Sequence, residues 1–187
     1  MARTKKYNEQ EVIEKAMVLF WKNGYENTSV RMLEKEMGIN QFSIYASFGS
    51  KHGVFLESLK CYKSKNNNMF EKLKNGTNGV EDIKTFFYDS INKPDELGSQ
   101  KGCLFTNTYN EFAEIEDQMI KNEMSQFMDN LKSLFIQKLK TDPSKDEETI
   151  LKQANYLLLA KHGLAAATRV NNKKEIEDYI EFTFKNL

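Results

Sequence analysis

Several things are scarce in this chain of 187 residues. Two prolines and nine glycines leave little punctuation between elements, and no stretch of useful length alternates apolar and polar residues. With abundant Lys, Glu, Leu, Met and Phe, that excludes a β-rich fold and predicts an all-α protein. The two cysteines, Cys61 and Cys103, make no disulfide framework, so a reducing cytoplasm is the expected setting. No apolar run approaches the roughly 18 residues of a membrane span, so no membrane partner is expected. The opening residues 1–7 place no apolar stretch behind their positive charges, so no signal peptide is expected.

Charge of one sign is missing too. Lys and Arg number 27 and Asp and Glu number 27, which rules out a uniformly basic coat. Any contact with nucleic acid must be local. The first 60 residues hold nine positive and seven negative side chains, an excess of two. Only two histidines occur, His52 and His162, and no zinc, hydrolase or phosphate-loop motif surrounds them. Neither catalysis, cofactor nor metal is expected. An all-helical enzyme would need a metal or cofactor, which metal analysis and an absorption spectrum of the pure protein would reveal. The acidic group Glu111, Glu114, Glu116 and Asp117 reads as a solvated helix end or turn. Cys61 and Cys103 read as small buried hydrophobes before they read as redox sensors.

What is present is helical periodicity. Asn8 is a candidate N-cap, with Ile13, Ala16, Met17 and Phe20 on one face and Gly24 as a stop. Thr28 is a candidate cap for a second helix carrying Val30, Leu33 and Met37. Gly38-Ile39-Asn40 then makes a tight turn, and a short third helix puts Ile44 and Phe48 on one face. Ser50 caps a long fourth helix reaching Leu73, weakened at Asn66-Asn67-Asn68. Further helices are predicted around residues 83–91, 103–112, 118–140, 150–168 and 174–184. Residues 92–101 read as a loop, and Asp142-Pro143 as a helix start.

Two short helices across a three-residue turn form the helix-turn-helix pattern. Its second helix must project from a rigid base to enter a major groove about 12 Å wide. The run AMVLFWKNGYENTSV over residues 16–30 is similar to the opening of the TetR family of bacterial transcriptional regulators. The likeness continues through Leu33, Met37-Gly38-Ile39-Asn40, Ile44-Tyr45, Phe48-Gly49-Ser50-Lys51 and Val54-Phe55, covering residues 8–59. A looser resemblance links Lys101-Gly102-Cys103-Leu104-Phe105-Thr106-Asn107-Thr108 to ligand domains of some members.

The resemblance implies an N-terminal three-helix DNA-binding domain, residues 1–50, and a C-terminal helical ligand-binding and dimerisation domain, residues 51–187. It implies phosphate contacts from Thr28, Tyr45 and Lys51, with Gln41, Phe42, Ser43 and Ala46 facing the groove. Gln41 suits adenine, and Phe42 or Ala46 a thymine methyl. Arg3, Lys5 and Lys6 form a basic arm suited to a minor groove. Members often carry Lys, Ser or Gly where Gln41 and Phe42 stand, and Glu where His52 stands. Base preference therefore does not transfer, and His52 reads first as a partly exposed residue without a role and second as a phosphate contact.

The rest of the chain is expected to dimerise and to enclose an effector. Leu157, Leu164, Ala165, Ala166 and Thr168, with Ile176, Tyr179, Ile180 and Phe184, form the expected dimer stripe; packing within one subunit is the alternative. Phe86, Phe87, Phe105, Tyr109, Phe112, Phe127, Phe135 and Tyr156, with Asn107, Asn110 and His162 as polar groups, are the candidate pocket. Ordinary core is the alternative for each aromatic. The implied function is a dimeric repressor on a palindromic operator, released by a small apolar or aromatic inducer. The alternative is a protein-interaction adaptor that has lost DNA binding, kept open by Phe42.

Overall fold

The structure is a computed structural model that describes residues 7–92, 102–185 and 187. Among these residues there are ten helices and no strand. The basic arm Arg3, Lys5 and Lys6 lies outside the described residues, as does nearly all of the expected loop at 92–101.

The first helix, α1 (Glu9–Asn23), starts where Asn8 accepts a hydrogen bond from the Gln10 amide, and it buries Ile13, Ala16, Met17 and Phe20. α2 (Val30–Met37) and α3 (Gln41–Phe48) are joined by Gly38, whose φ of 70° is the left-handed turn that a side chain would strain. The cap of α2 is Ser29, which accepts from Met32, and not the expected Thr28. Thr28 is instead fully buried, and its hydroxyl donates to the Gly24 carbonyl at 2.6 Å. Asn40 caps α3 and Ser50 caps α4 (Lys51–Lys65), both as expected.

The long fourth helix is two helices. The chain breaks at Asn66, whose side-chain amide donates to the Tyr62 carbonyl at 2.6 Å, and α5 (Asn67–Asn75) follows. Then come α6 (Val80–Ile91), α7 (Leu104–Glu111), α8 (Gln118–Leu139), α9 (Glu147–Ala167) and α10 (Lys173–Phe184). Pro143 does not open α9; it stands in the preceding turn, and Asp146 is the cap. A capping box between Asn172 and Glu175 opens α10.

Two apolar clusters hold these elements. The first joins α1–α4 to Leu104, Phe105 and Phe112 of the α7 region and to Ile120, Met124 and Phe127 of α8. The helix-turn-helix unit therefore shares its core with the rest of the chain. The second lies among α5, α6, α8, α9 and α10, around Phe86, Phe87, Phe135, Leu157 and Ile180. Phe70 packs against both. The buried Lys138 ties α8 to the α5–α6 turn, donating to the carbonyls of Lys74 and Gly76 and pairing with Asp82 at 3.3 Å.

Candidate nucleic-acid interface and adjoining cavity

The short α3 cannot hold itself; its neighbours fix it. Ile44 is its one fully buried side chain. Glu34 of α2 accepts from the Gln41 amide, and Tyr7 reaches Ser47 Oγ at 2.8 Å and the Ser43 carbonyl at 3.3 Å. The opposite face is open. Phe42 is 77% exposed, Tyr45 42%, and Gln41 and Ala46 are exposed beside them. Gln41 Nε2 donates to Tyr45 Oη at 2.9 Å, so these two present one paired polar edge. Ser43 is only half-buried, and its amide is taken by Asn40.

Thr28 is corrected as a phosphate contact. Its side chain has no exposed surface and its hydroxyl is already committed. Lys51, at the start of α4, is half-buried, with its Nζ 4.2 Å from the centre of the Tyr25 ring. That is a cation–π contact, and it holds the ammonium at the turn between α1 and α2. His52 Nε2 lies 2.7 Å from Asp117 Oδ2, and the other oxygen of Asp117 caps α8. His52 thus joins the N-terminal ends of α4 and α8, a role its isolation in the sequence did not suggest.

Glu111 closes the same region from the far side. Its carboxylate accepts from the Tyr25 amide at 2.8 Å and the Glu26 amide at 2.7 Å. The reading of Glu111 as part of a solvated acidic end is therefore corrected. Tyr25 packs against Phe55 and Phe112, with centroids 5.0 and 5.2 Å away. Burial, then the charges of Glu26, Asp117 and Glu111, raise its phenol pKa.

Between the two apolar clusters is a cavity of about 50 Å³. Of the expected pocket residues, Phe86, Phe127 and His162 line it. Phe87, Phe105, Phe112 and Phe135 are buried core, Phe105 stacking on Phe127 at 4.0 Å. Tyr109, Asn110 and Tyr156 are exposed and Asn107 is half-buried; none of the four lines the cavity. The lining missed from sequence includes Trp21, Tyr62, Phe70, Cys103, Thr106 and Lys161. One signal for the last was available: Lys161 interrupts an apolar stripe of α9 that runs Leu157, Lys161, Ala165 and Thr168. Gly102, with φ of 70°, also lines the cavity; a Cβ there would stand 2.8 Å from the Ala165 carbonyl. Burial pushes the Tyr62 phenol well above its usual range. Burial also lowers the pKa of Lys161, and burial followed by the Lys161 charge lowers that of His162.

The expected dimer stripe is corrected as well. Leu157, Leu164, Ile176 and Ile180 are buried within the subunit, while Ala165 and Thr168 line the cavity. Of the stripe, Tyr179 and Ala166 reach the surface. The outward faces of α9 and α10 instead show Tyr156, Leu159 and Phe182, the last two 71% and 70% exposed, flanked by exposed Gly163 and Ala166.

Residues 12–58 match the family model described as bacterial regulatory proteins, tetR family. The Bacillus subtilis protein named as the uncharacterized HTH-type transcriptional regulator YezE is 30% identical over 109 residues, covering 58% of this chain and 56% of its own. The match thus spans little more than half the length of that relative. The biofilm operon icaADBC HTH-type negative transcriptional regulator IcaR of Staphylococcus aureus is 27% identical over 130 residues, 65% of this chain and 70% of its own. Among solved structures, a cysteine-substituted form of the TetR family transcriptional regulator CifR, complexed with 26bp double-strand operator DNA, superposes with a TM-score of 0.85. It is 21% identical, with 98% of both chains covered. The reduced form of Escherichia coli NemR gives a TM-score of 0.80 at 19% identity over 95% of each chain. At these identities the structural likeness establishes the fold.

Proposed function

We propose, from the match of residues 12–58 to the tetR family model, that the chain is a transcriptional repressor of the TetR type. In this reading it binds a palindromic operator as a homodimer and leaves the DNA when a small molecule fills the cavity beside Trp21. The observation that carries the reading is the α3 surface: Gln41, Phe42, Tyr45 and Ala46 outward on a helix pinned from three sides. IcaR is named as a negative regulator and CifR is bound to operator DNA, which supports repression through such a surface.

A second copy of the chain is the partner suited to Tyr156, Leu159, Gly163, Ala166, Tyr179 and Phe182. Small residues beside large exposed apolar ones let two helix pairs pack closely. A two-fold pair would present α3 twice, matching an inverted repeat.

Release needs an effector that binds the DNA-free arrangement better than the DNA-bound one. α7 is suited to carry that difference. Its N-terminal end, at Cys103 and Thr106, lines the cavity, and Glu111 at its other end holds the Tyr25 and Glu26 amides. α4 is the second route, from Tyr62 at the cavity to Lys51. Footprinting on DNA flanking the gene tests the reading: Gln41→Ala and Phe42→Ala proteins that stay folded lose protection. Full protection by both variants would remove α3 as the reading element.

A further inference from the structure

The cavity is apolar on most sides, and among the described residues one lysine lines it, out of place there. Lys161 lines it among Trp21, Phe70, Phe86 and Phe127. Lysines elsewhere on α9 and α10 have carboxylates four residues away: Lys152 pairs with Glu148, Lys173 with Glu177 and Lys174 with Asp178. Four residues either side of Lys161 stand Leu157 and Ala165. Among the described residues, none that lines the cavity is a carboxylate, and Lys161 has no ion pair or hydrogen bond. A half-buried ammonium with no carboxylate beside it is costly to keep.

Of the other polar lining groups, the Cys103 thiol is the one whose charge would favour the ammonium, and it is not a carboxylate. The hydroxyls of Ser90 and Thr168 donate to the Phe87 and Ala165 carbonyls of their own helices. His162 has Nε2 against Met128 Sδ at 2.9 Å, and the nearby Lys161 charge disfavours a second cation there. Among the described residues, the cavity therefore offers a single positive charge within an aromatic wall.

We propose that this cavity takes a monoanionic amphiphile: a carboxylate on Lys161, carried by an apolar body lying among Trp21, Phe70, Phe86 and Phe127. The inference rests on the effector reading above and replaces a purely apolar or aromatic inducer with an acidic one. The open space of about 50 Å³ holds a few waters, so the body enters as the lining adjusts. Met69 and Met128, both half-buried at the wall, are the side chains with the freedom to move.

Trp21, the only tryptophan, lines the cavity and reports its occupancy by fluorescence. The probes are straight-chain carboxylates from butanoate to decanoate, each against the alcohol of the same length, titrated with calorimetry alongside. The wild type binds the best carboxylate about tenfold or more tighter than its alcohol, the worth of one charge-assisted contact. Lys161→Met, which keeps the volume and removes the charge, binds both alike and retains the alcohol's affinity. Circular dichroism checks its fold, and the wild-type comparison stands without any variant. Equal affinity for acid and alcohol in the wild type, or an acid preference surviving in Lys161→Met, overturns the inference and leaves the effector reading. No binding of either series to the wild type likewise overturns the inference, while the effector reading falls only if operator binding responds to no ligand.

Discussion

Thr28 and Lys51 separate two uses of a polar side chain at the helix-turn-helix end. Thr28 spends its hydroxyl on Gly24 in a site without solvent, while Lys51 keeps its ammonium on the Tyr25 ring at the surface. Thr28→Val is expected to lower stability by about 1 kcal/mol and to leave the salt dependence of DNA binding unchanged. Lys51→Ala is expected to reduce the slope of log affinity against log salt by about one unit. Salt titrations of operator binding check both, and a slope changed by Thr28→Val would restore the threonine to the interface. Glu111 belongs to the same scale. Its carboxylate holds two amides of the α1–α2 turn, so Glu111→Ala should cost about 1–3 kcal/mol in denaturant unfolding, with Glu111→Gln between it and wild type. An unchanged midpoint for Glu111→Ala would show that the turn holds its shape without this carboxylate.

The helices themselves were largely legible. Asn8, Asn40 and Ser50 cap as their chemistry dictates, and Gly24, Gly38 and Gly49 stop the first three helices. Short-range signals such as these need only neighbouring residues. Which side of a helix faces a neighbour is a long-range fact, and there α9 misled. Its apolar stripe through Leu157 and Leu164 looked like an interface and is core, while the face carrying Leu159 is the open one. The two faces give opposite outcomes. Leu157→Ala should cost about 2–5 kcal/mol of stability. Leu159→Glu together with Phe182→Glu should leave a folded monomer in analytical ultracentrifugation, because a buried unpaired charge is not tolerated at a subunit contact. A dimer that survives both glutamates would move the interface elsewhere. At the α5–α6–α8 joint, Lys138→Met strands Asp82 and should cost about 3–5 kcal/mol. Thermal unfolding measures it, and a gain in stability would show the ion pair to be dispensable.

At the scale of the molecule, the first apolar cluster runs from the helix-turn-helix unit into α7 and α8 without a seam. A boundary at residue 50 divides the sequence motif from the rest but does not divide the packing. The helix-turn-helix unit was legible because its turn and caps are local; Glu111, Lys161 and the cavity were not, because residues 21, 62, 86, 103, 127 and 161 meet only in the folded chain. Glu111 of α7 and Lys51 of α4 both contact the α1–α2 turn, which is the route the proposed release would use. No helix among the described residues is long and apolar enough to cross a membrane.

The central claim is that a pair of α3 helices reads duplex DNA. Selection of the purified protein against a pool of random duplexes tests it most directly, since it needs no knowledge of the gene's surroundings. The expected result is enrichment of an inverted repeat with half-sites about one helical turn apart, bound with a steep salt dependence. A folded dimer that enriches no sequence, with affinity indifferent to salt, would contradict it.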